Sequence, residues 1–164
     1  MRAISRPVSR IAGSVRAPGD KSCSHRAVMM AAVSTGESTV TGLLEGEDVL
    51  NTAKAVKALG AGVERTGPGA WTIAGVGAKG FSSPQRDLDF GNSGTGARLM
   101  MGLVGGHDVS ARFVGDASLS SRPMERVLKP LREMGVGAET APGDSGLAVP
   151  ASFLGFLVSL LLRC

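Results

Sequence analysis

Gly19-Asp20-Lys21-Ser22-Cys23-Ser24-His25-Arg26 and Gly91-Asn92-Ser93-Gly94-Thr95-Gly96-Ala97-Arg98 are two versions of one pattern, and each leads into an apolar run, 27–33 in the first and 99–104, read as an apolar helix, in the second. Gly19 pairs with Gly91, Ser22 with Gly94 and Arg26 with Arg98, all at an offset of 72. Farther on, Leu131-Arg132-Glu133-Met134-Gly135 echoes Val56-Lys57-Ala58-Leu59-Gly60 at an offset of 75, a drift the size of a small loop insertion. A period this long is wrong for a solenoid. It suits a duplicated supersecondary unit, read here as strand, helix, strand, helix and hairpin, which makes the chain α/β.

Taken in order, 11–16 alternates like a strand and is closed by the Pro18-Gly19 turn. A helix over 22–33 follows, with Ala27, Met30, Ala31 and Cys23 toward the core, ended by Gly36. The spacing predicts a short strand over 38–44, then an amphipathic helix over 47–59 carrying Val49, Leu50, Ala53, Val56 and Leu59 on one face and stopped by Gly60. A hairpin of 63–66 and 71–74 turns at Gly67-Pro68-Gly69. In the second unit 109–114 reads as a strand and 122–134 as a helix, entered through Asp116 to Ser118 with Pro123 in its first turn.

Composition limits the function classes. With no tyrosine and one tryptophan, stacking on nucleic-acid bases has few platforms. The formal charge of +4 is spread along the chain without a basic tail, so neither DNA nor a membrane surface is expected, and a small anionic ligand fits better. Cys23 and Cys164 have neither disulfide nor metal-ligand spacing, and the polar start, 1–10, does not read as a secretory leader; a reducing cytoplasm is expected, with no metal. The apolar run 153–162 is about half of the ~20 residues a membrane span needs.

The first loop places Lys21, Ser22, His25 and Arg26 after a turn and at a helix start, where unpaired backbone N–H groups face the same space: an anion site by composition. It is not the nucleotide-binding P-loop, because Asp20 stands where that motif needs a second glycine. A Lys-Ser pair after a turn can also be a plain helix cap with a solvated lysine. Cys23 reads as a small core side chain in preference to a thiolate nucleophile, and His25 as a structural or substrate-orienting residue in preference to a proton shuttle. Arg122 is either ligand-facing or solvated. The cluster Glu45, Glu47 and Asp48 is accounted for by the positive end of a helix dipole and is assigned no chemistry. Two such helix starts converging on one place would favour a multiply charged anion.

Pro18-Gly19-Asp20-Lys21-Ser22-x-Ser24-His25-Arg26, Gly91-Asn92-Ser93-Gly94-Thr95 with Arg98, and Gly115-Asp116-Ala117-Ser118-Leu119 with Arg122-Pro123-Met124 resemble, in this order, the N-terminal signatures of the 5-enolpyruvylshikimate-3-phosphate synthase family. The resemblance covers roughly 8–146. It implies repeated βαβαββ units of the inside-out α/β type, with helices packed inward. It also implies transfer of the enolpyruvyl group of phosphoenolpyruvate to the 5-hydroxyl of shikimate 3-phosphate, with release of phosphate and without cofactor or metal, on the route to chorismate. Cations gathering two phosphates and a carboxylate agree with the loop chemistry.

Carried over by residue, the resemblance implies that Lys21 touches both substrates and takes part in proton transfer, while Ser22 and Arg26 hold shikimate 3-phosphate. Gly94 and Arg122 would line the phosphoenolpyruvate pocket and Asn92 would shape its loop. Arg98 matches the motif without an assured ligand contact. A glycine at position 94 implies that glyphosate can enter. Family members are more than twice as long, with the substrates between two domains. By the resemblance 1–17 belongs with the other domain and 18–146 forms about two units of the substrate domain. Residues 147–164 depart from the family as an apolar tail, expected to be a truncated or frameshifted reading frame. The Ser-Ser-Gln segment, the later catalytic carboxylate and lysine, and further arginines are not recognisable. The expectation is therefore a chain inactive alone, either a phosphate-binding fragment or a half that needs a complementing chain, and prone to self-association.

Overall fold

The computed structural model describes residues 9–140 and the strand Gly146–Pro150, together with Ile4 and Pro7. The first unit runs α1 (Lys21–Val33), β1 (Glu37–Val40), α2 (Glu47–Ala58), β2 (Gly62–Gly67) and β3 (Ala70–Ala74). After a 3-10 turn at Gly77–Lys79, the second runs β4 (Leu88–Asp89), α3 (Gly94–Val104), β5 (Ser110–Val114), α4 (Ala117–Ser120), α5 (Glu125–Glu133), β6 (Glu139–Thr140) and β7 (Gly146–Pro150).

The duplication read from the sequence recurs in the sheets. The first has the order β1-β3-β2, antiparallel throughout; the second has β4-β5-β7-β6, in which β5, β7 and β6 repeat that order and β4 adds a parallel edge. The hairpin expected around Gly67-Pro68-Gly69 is β2–β3, with Gly67 opposite Ala70 and Gly69 at φ +64°, a conformation that glycine adopts without strain.

Helices supply most of the interior. Val28 and Ala32 of α1, Val49 and Val56 of α2, and Met100 and Val104 of α3 are fully enclosed, whereas β1 and β2 contribute no buried residue. Stacked rings of Phe90 and Phe113, 5.6 Å between centroids, extend the core into the second unit. Helices inside and sheets outside is the arrangement expected.

Several elements differ from expectation. Residues 11–16 form no strand: no ladder partner pairs with them among the described residues, and Ile11 and Val15 are 92% and 94% exposed. Alternation alone cannot make a strand whose backbone groups have nothing to bond. The buried face of α1 is rotated from the expected one, holding Ser24, His25, Val28, Met29, Ala31 and Ala32, with Met30 and Cys23 exposed and Ala27 half-buried. Two polar residues are inside because hydrogen bonds await them there, which apolar periodicity does not register. The strand expected over 38–44 stops at Val40, where the chain bends through Gly42 at φ +72°. The helix expected from 122 begins at Glu125. Asp116 caps the short α4 instead, and the Arg122 N–H closes on the Leu119 carbonyl, leaving Pro123 in the linker. The second sheet runs on to Pro150, so the first residues assigned to the tail complete a strand. The rest of that tail, 151–164 with Cys164, lies outside the described residues.

Candidate active site

Asp20 is the N-cap of α1: its Oδ1 accepts the Cys23 N–H at 2.7 Å, and that bond, more than the nearby Arg26, holds its carboxyl below the ordinary range. The helix therefore begins at Lys21 and presents Lys21, Ser22 and Arg26 on its exposed first turns, Arg26 Nη1 donating to the Ser22 carbonyl at 3.1 Å. Ser24 faces inward, its Oγ accepting the Leu44 N–H at 3.0 Å. Gly19 lies against the same loop so closely that a Cβ would stand 2.2 Å from the Gly42 carbonyl oxygen.

The second loop is built by the same device one residue out of step. Ser93, not Asn92, caps α3, accepting the Gly96 N–H at 3.2 Å, so α3 begins at Gly94 where the repeat pairs Gly94 with Ser22. Asn92 is thereby released to bridge: its Nδ2 donates to Asp116 Oδ2 at 2.9 Å and its Oδ1 accepts from Arg122 Nη2 at 2.5 Å. Arg122 Nη2 also donates to Ser118 Oγ at 3.2 Å. Hydrogen bonds from the Leu119 N–H and Asn92 lower the Asp116 pKa, so it stays ionised as the anchor of this network. At Gly94 a Cβ would meet Arg122 Nη1 at 2.7 Å and Arg98 Nη1 at 3.1 Å, so two guanidinium groups converge on one glycine. Arg98 Nη2 donates to the Pro123 carbonyl at 3.3 Å, while its buried Nε has no partner among the described residues.

The helix starts meet. His25 of α1 is wholly buried with Nδ1 2.8 Å from Thr52 Oγ1 of α2, and a Cβ on Gly96 of α3 would stand 3.2 Å from His25 Cε1 and 2.9 Å from Thr52 Oγ1. Three helix N-termini thus lie at one end of the cluster, a field that attracts anions.

The acidic cluster does more than cap a dipole. Asp48, on the first turn of α2, pairs with the Lys21 ammonium, a contact that no spacing in the sequence points to. Glu45 is gripped by Arg65 Nε and Nη2 at 2.7 and 2.8 Å and by the Trp71 indole N–H at 2.9 Å. Cys23 is exposed, and its bond to Asp20 pushes the thiol pKa up; it is neither the core residue expected nor a thiolate. Arg122 is not freely solvated, being held by Asn92 and Ser118. The acidic partners Asp48 and Asp116 were missed by sequence reasoning, since each bonds across loops far apart in the chain. A cleft of about 480 Å³ opens beside Gly19, between Arg16, Thr41, Leu44, Glu45 and Pro68, and neither Lys21 nor Arg122 lies on its wall. The candidate residues occupy an open face.

These charges give a signed pH dependence. Arg65, ahead of the other contacts, draws the Glu45 pKa from 4.5 to about 2, so the folded state binds this proton less readily than the unfolded chain. Its stabilisation is complete above 4.5 and is lost as pH falls toward 2. Burial lowers the pKa of His25 and of His107 below 6.5, so their contribution is full above 6.5 and erodes beneath it. Urea midpoints followed by Trp71 fluorescence are expected to fall in two stages, with Arg65→Gln abolishing the more acidic one. A midpoint constant from pH 7.5 to 3 would contradict this assignment.

Comparison with known proteins agrees with the fold. The family model described as EPSP synthase (3-phosphoshikimate 1-carboxyvinyltransferase) matches residues 5–152. A 3-phosphoshikimate 1-carboxyvinyltransferase of Hyphomonas neptunium is 61% identical over 143 residues, 87% of this chain and 32% of the relative. Another, from Bradyrhizobium diazoefficiens, is 56% identical over 92% of this chain and 32% of its own length. The EPSP synthase structure from Acinetobacter baumannii superposes with a TM-score of 0.79 at 42% identity, covering 85% of this chain and 32% of that one. The chain thus spans about a third of the curated relatives it matches. A family model spanning nearly the whole described chain and a shared fold at this identity make it a member of the EPSP synthase family.

Proposed function

We propose that the open end of the α1–α2–α3 cluster is one wall of a site for enolpyruvyl transfer from phosphoenolpyruvate to the 5-hydroxyl of shikimate 3-phosphate. The observation that carries the reading is the meeting of the two helix starts, with Lys21, Ser22 and Arg26 on one and the guanidinium groups of Arg98 and Arg122 around Gly94 on the other. Ser22 and Arg26 would bind the shikimate phosphate, Lys21 would reach both substrates and move a proton, and Arg122 would receive phosphoenolpyruvate over Gly94, with Asn92 holding that arginine in place. Arg98 stands beside Arg122 and adds charge to the same pocket.

Addition of the 5-hydroxyl to C2 of the enol phosphate needs a proton delivered to the C3 methylene and another taken from the hydroxyl. The elimination that releases phosphate takes a proton back from C3, so acid–base groups are required around the reacting carbons. Lys21 is one such group; the other belongs to the part of the relatives this chain does not span. Residues 1–17 would pack with that part, and Ile11 and Val15 are apolar surface that such packing, or self-association, would cover. Residues 18–146 would be the substrate-binding units, and the cytoplasm is the compartment we propose. No helix among the described residues is long and apolar enough to cross a membrane.

Phosphate release from both substrates is the test. The chain alone is expected to give none, whereas co-expression with the remaining two thirds of the Hyphomonas neptunium relative is expected to restore it, with inhibition by glyphosate because Gly94 leaves room beside Arg122. Turnover by the chain alone would refute the half-site reading; a reconstituted activity indifferent to glyphosate would refute the open pocket.

A further inference from the structure

His25 of α1 reaches two neighbouring helices, α2 at Thr52 and α3 at Gly96, near its start. It is 0% exposed, and so is Thr52 of α2, whose Oγ1 lies 2.8 Å from His25 Nδ1. Thr52 Oγ1 gives its own hydrogen to the Asp48 carbonyl at 3.3 Å, which leaves Oγ1 to accept and makes His25 Nδ1 the donor. The neutral ring is then the Nδ1–H tautomer, and its bare, buried Nε2 has no partner among the described residues. The other side of the ring closes on α3: a Cβ on Gly96 would stand 3.2 Å from Cε1 and 2.6 Å from the Oγ of Ser93, the α3 cap. Gly96 is thus the residue that lets the imidazole fit.

From this geometry, and resting on the proposed anion site, we infer that His25 is a positioning residue: its neutral imidazole sets the separation between the first turns of α1, which carry Lys21, Ser22 and Arg26, and the start of α3 at Gly94, and its protonation opens the junction. A proton can be added only at Nε2, creating a buried N–H with no acceptor. The charged groups around the ring are Lys21 and Arg26 of α1, both cations, and Asp48 of α2, already paired with Lys21; α3 offers Ser93 and Gly96, neither charged. Burial is the largest influence on this histidine and disfavours the imidazolium. An added cation would attract a phosphate at longer range, but across solvent that attraction is weaker than the cost of a desolvated charge between packed helices, so the net effect is to loosen the site.

The test uses this chain, with shikimate 3-phosphate as the probe and chemical-shift titration to read affinity. His25→Asn keeps an amide donor where Nδ1 stands and removes the titrating nitrogen; His25→Leu removes both. At pH 7.5 the Asn variant is expected to bind as the wild type does and the Leu variant about tenfold more weakly. Between pH 7.5 and 5.5 the wild type is expected to lose about threefold or more relative to the Asn variant, the ligand's own ionisation being common to both. Imidazole nitrogen shifts should report the Nδ1–H tautomer whether or not the Leu variant folds. An Nε2–H tautomer, a Leu variant that binds as tightly as wild type, or parallel pH profiles for wild type and His25→Asn would overturn the inference. Lys21→Met separates the two levels: binding unchanged in that variant removes the anion site itself and the inference with it, while weakened binding with parallel histidine profiles removes the inference alone.

Discussion

Gly19→Ala is expected to cost about 2–4 kcal/mol, more than most single substitutions, and to disrupt the proposed anion site with it. The added methyl would lie 2.2 Å from the Gly42 carbonyl oxygen and 2.9 Å from the Leu44 nitrogen, both backbone atoms that cannot rotate away. One strand of the loop must therefore move, and the bond from the Leu44 N–H to Ser24 Oγ is the first to part. That bond ties α1 to the segment leading into α2, so Lys21 and Asp48 would separate as well. Urea unfolding followed by Trp71 fluorescence measures the stability, and titration with shikimate 3-phosphate measures the site. Wild-type stability in this variant would mean that the approach of Gly19 to Gly42 is not fixed in solution.

Lys21→Met should show the reverse pattern, a functional loss with little change in stability. The lysine side chain is 51% exposed and its ion partner among the described residues, Asp48, is 24% exposed, so losing the pair costs less than about 1 kcal/mol. Methionine retains most of the stem. In the activity reconstituted with the remaining two thirds of the Hyphomonas neptunium relative, removing the cation proposed to touch both substrates and to move a proton should lower kcat by about a thousandfold. Urea midpoints separated by more than this small margin would show that Lys21 is structural, and retained turnover would show that it does not touch the reacting groups.

Why some of this could be read from the chain and some could not follows from the range of the interactions. The helix starting near residue 22, the helix over 47–59 and the Pro68-Gly69 hairpin are set by caps, turns and periodicity within a few residues, and these are legible. The helix expected over 99–104 begins earlier, at Gly94, because the Ser93 cap and not the apolar run sets its start. Residues 11–16 misled because alternation records a preference for extended backbone and not the presence of a partner strand. The rotated face of α1 misled because Ser24 and His25 are buried by hydrogen bonds to Leu44 and Thr52, which lie far along the chain. The same cause hid Asp48 and Asp116: a carboxylate's partner across loops leaves no periodic trace.

By itself the sequence determined a duplicated α/β unit and two loop-to-helix segments carrying the motif residues Lys21, Ser22, Arg26, Asn92, Gly94, Arg98 and Arg122, because each depends on local backbone chemistry or on motif order. Only the tertiary structure decided that those two starts meet, that Lys21 is held by Asp48 and Arg122 by Asn92, and that His25 is a buried contact from α1 to Thr52 of α2 and to Gly96 near the start of α3. Packing three helices by their N-terminal ends brings together groups whose separation along the chain carries no information about their distance in space.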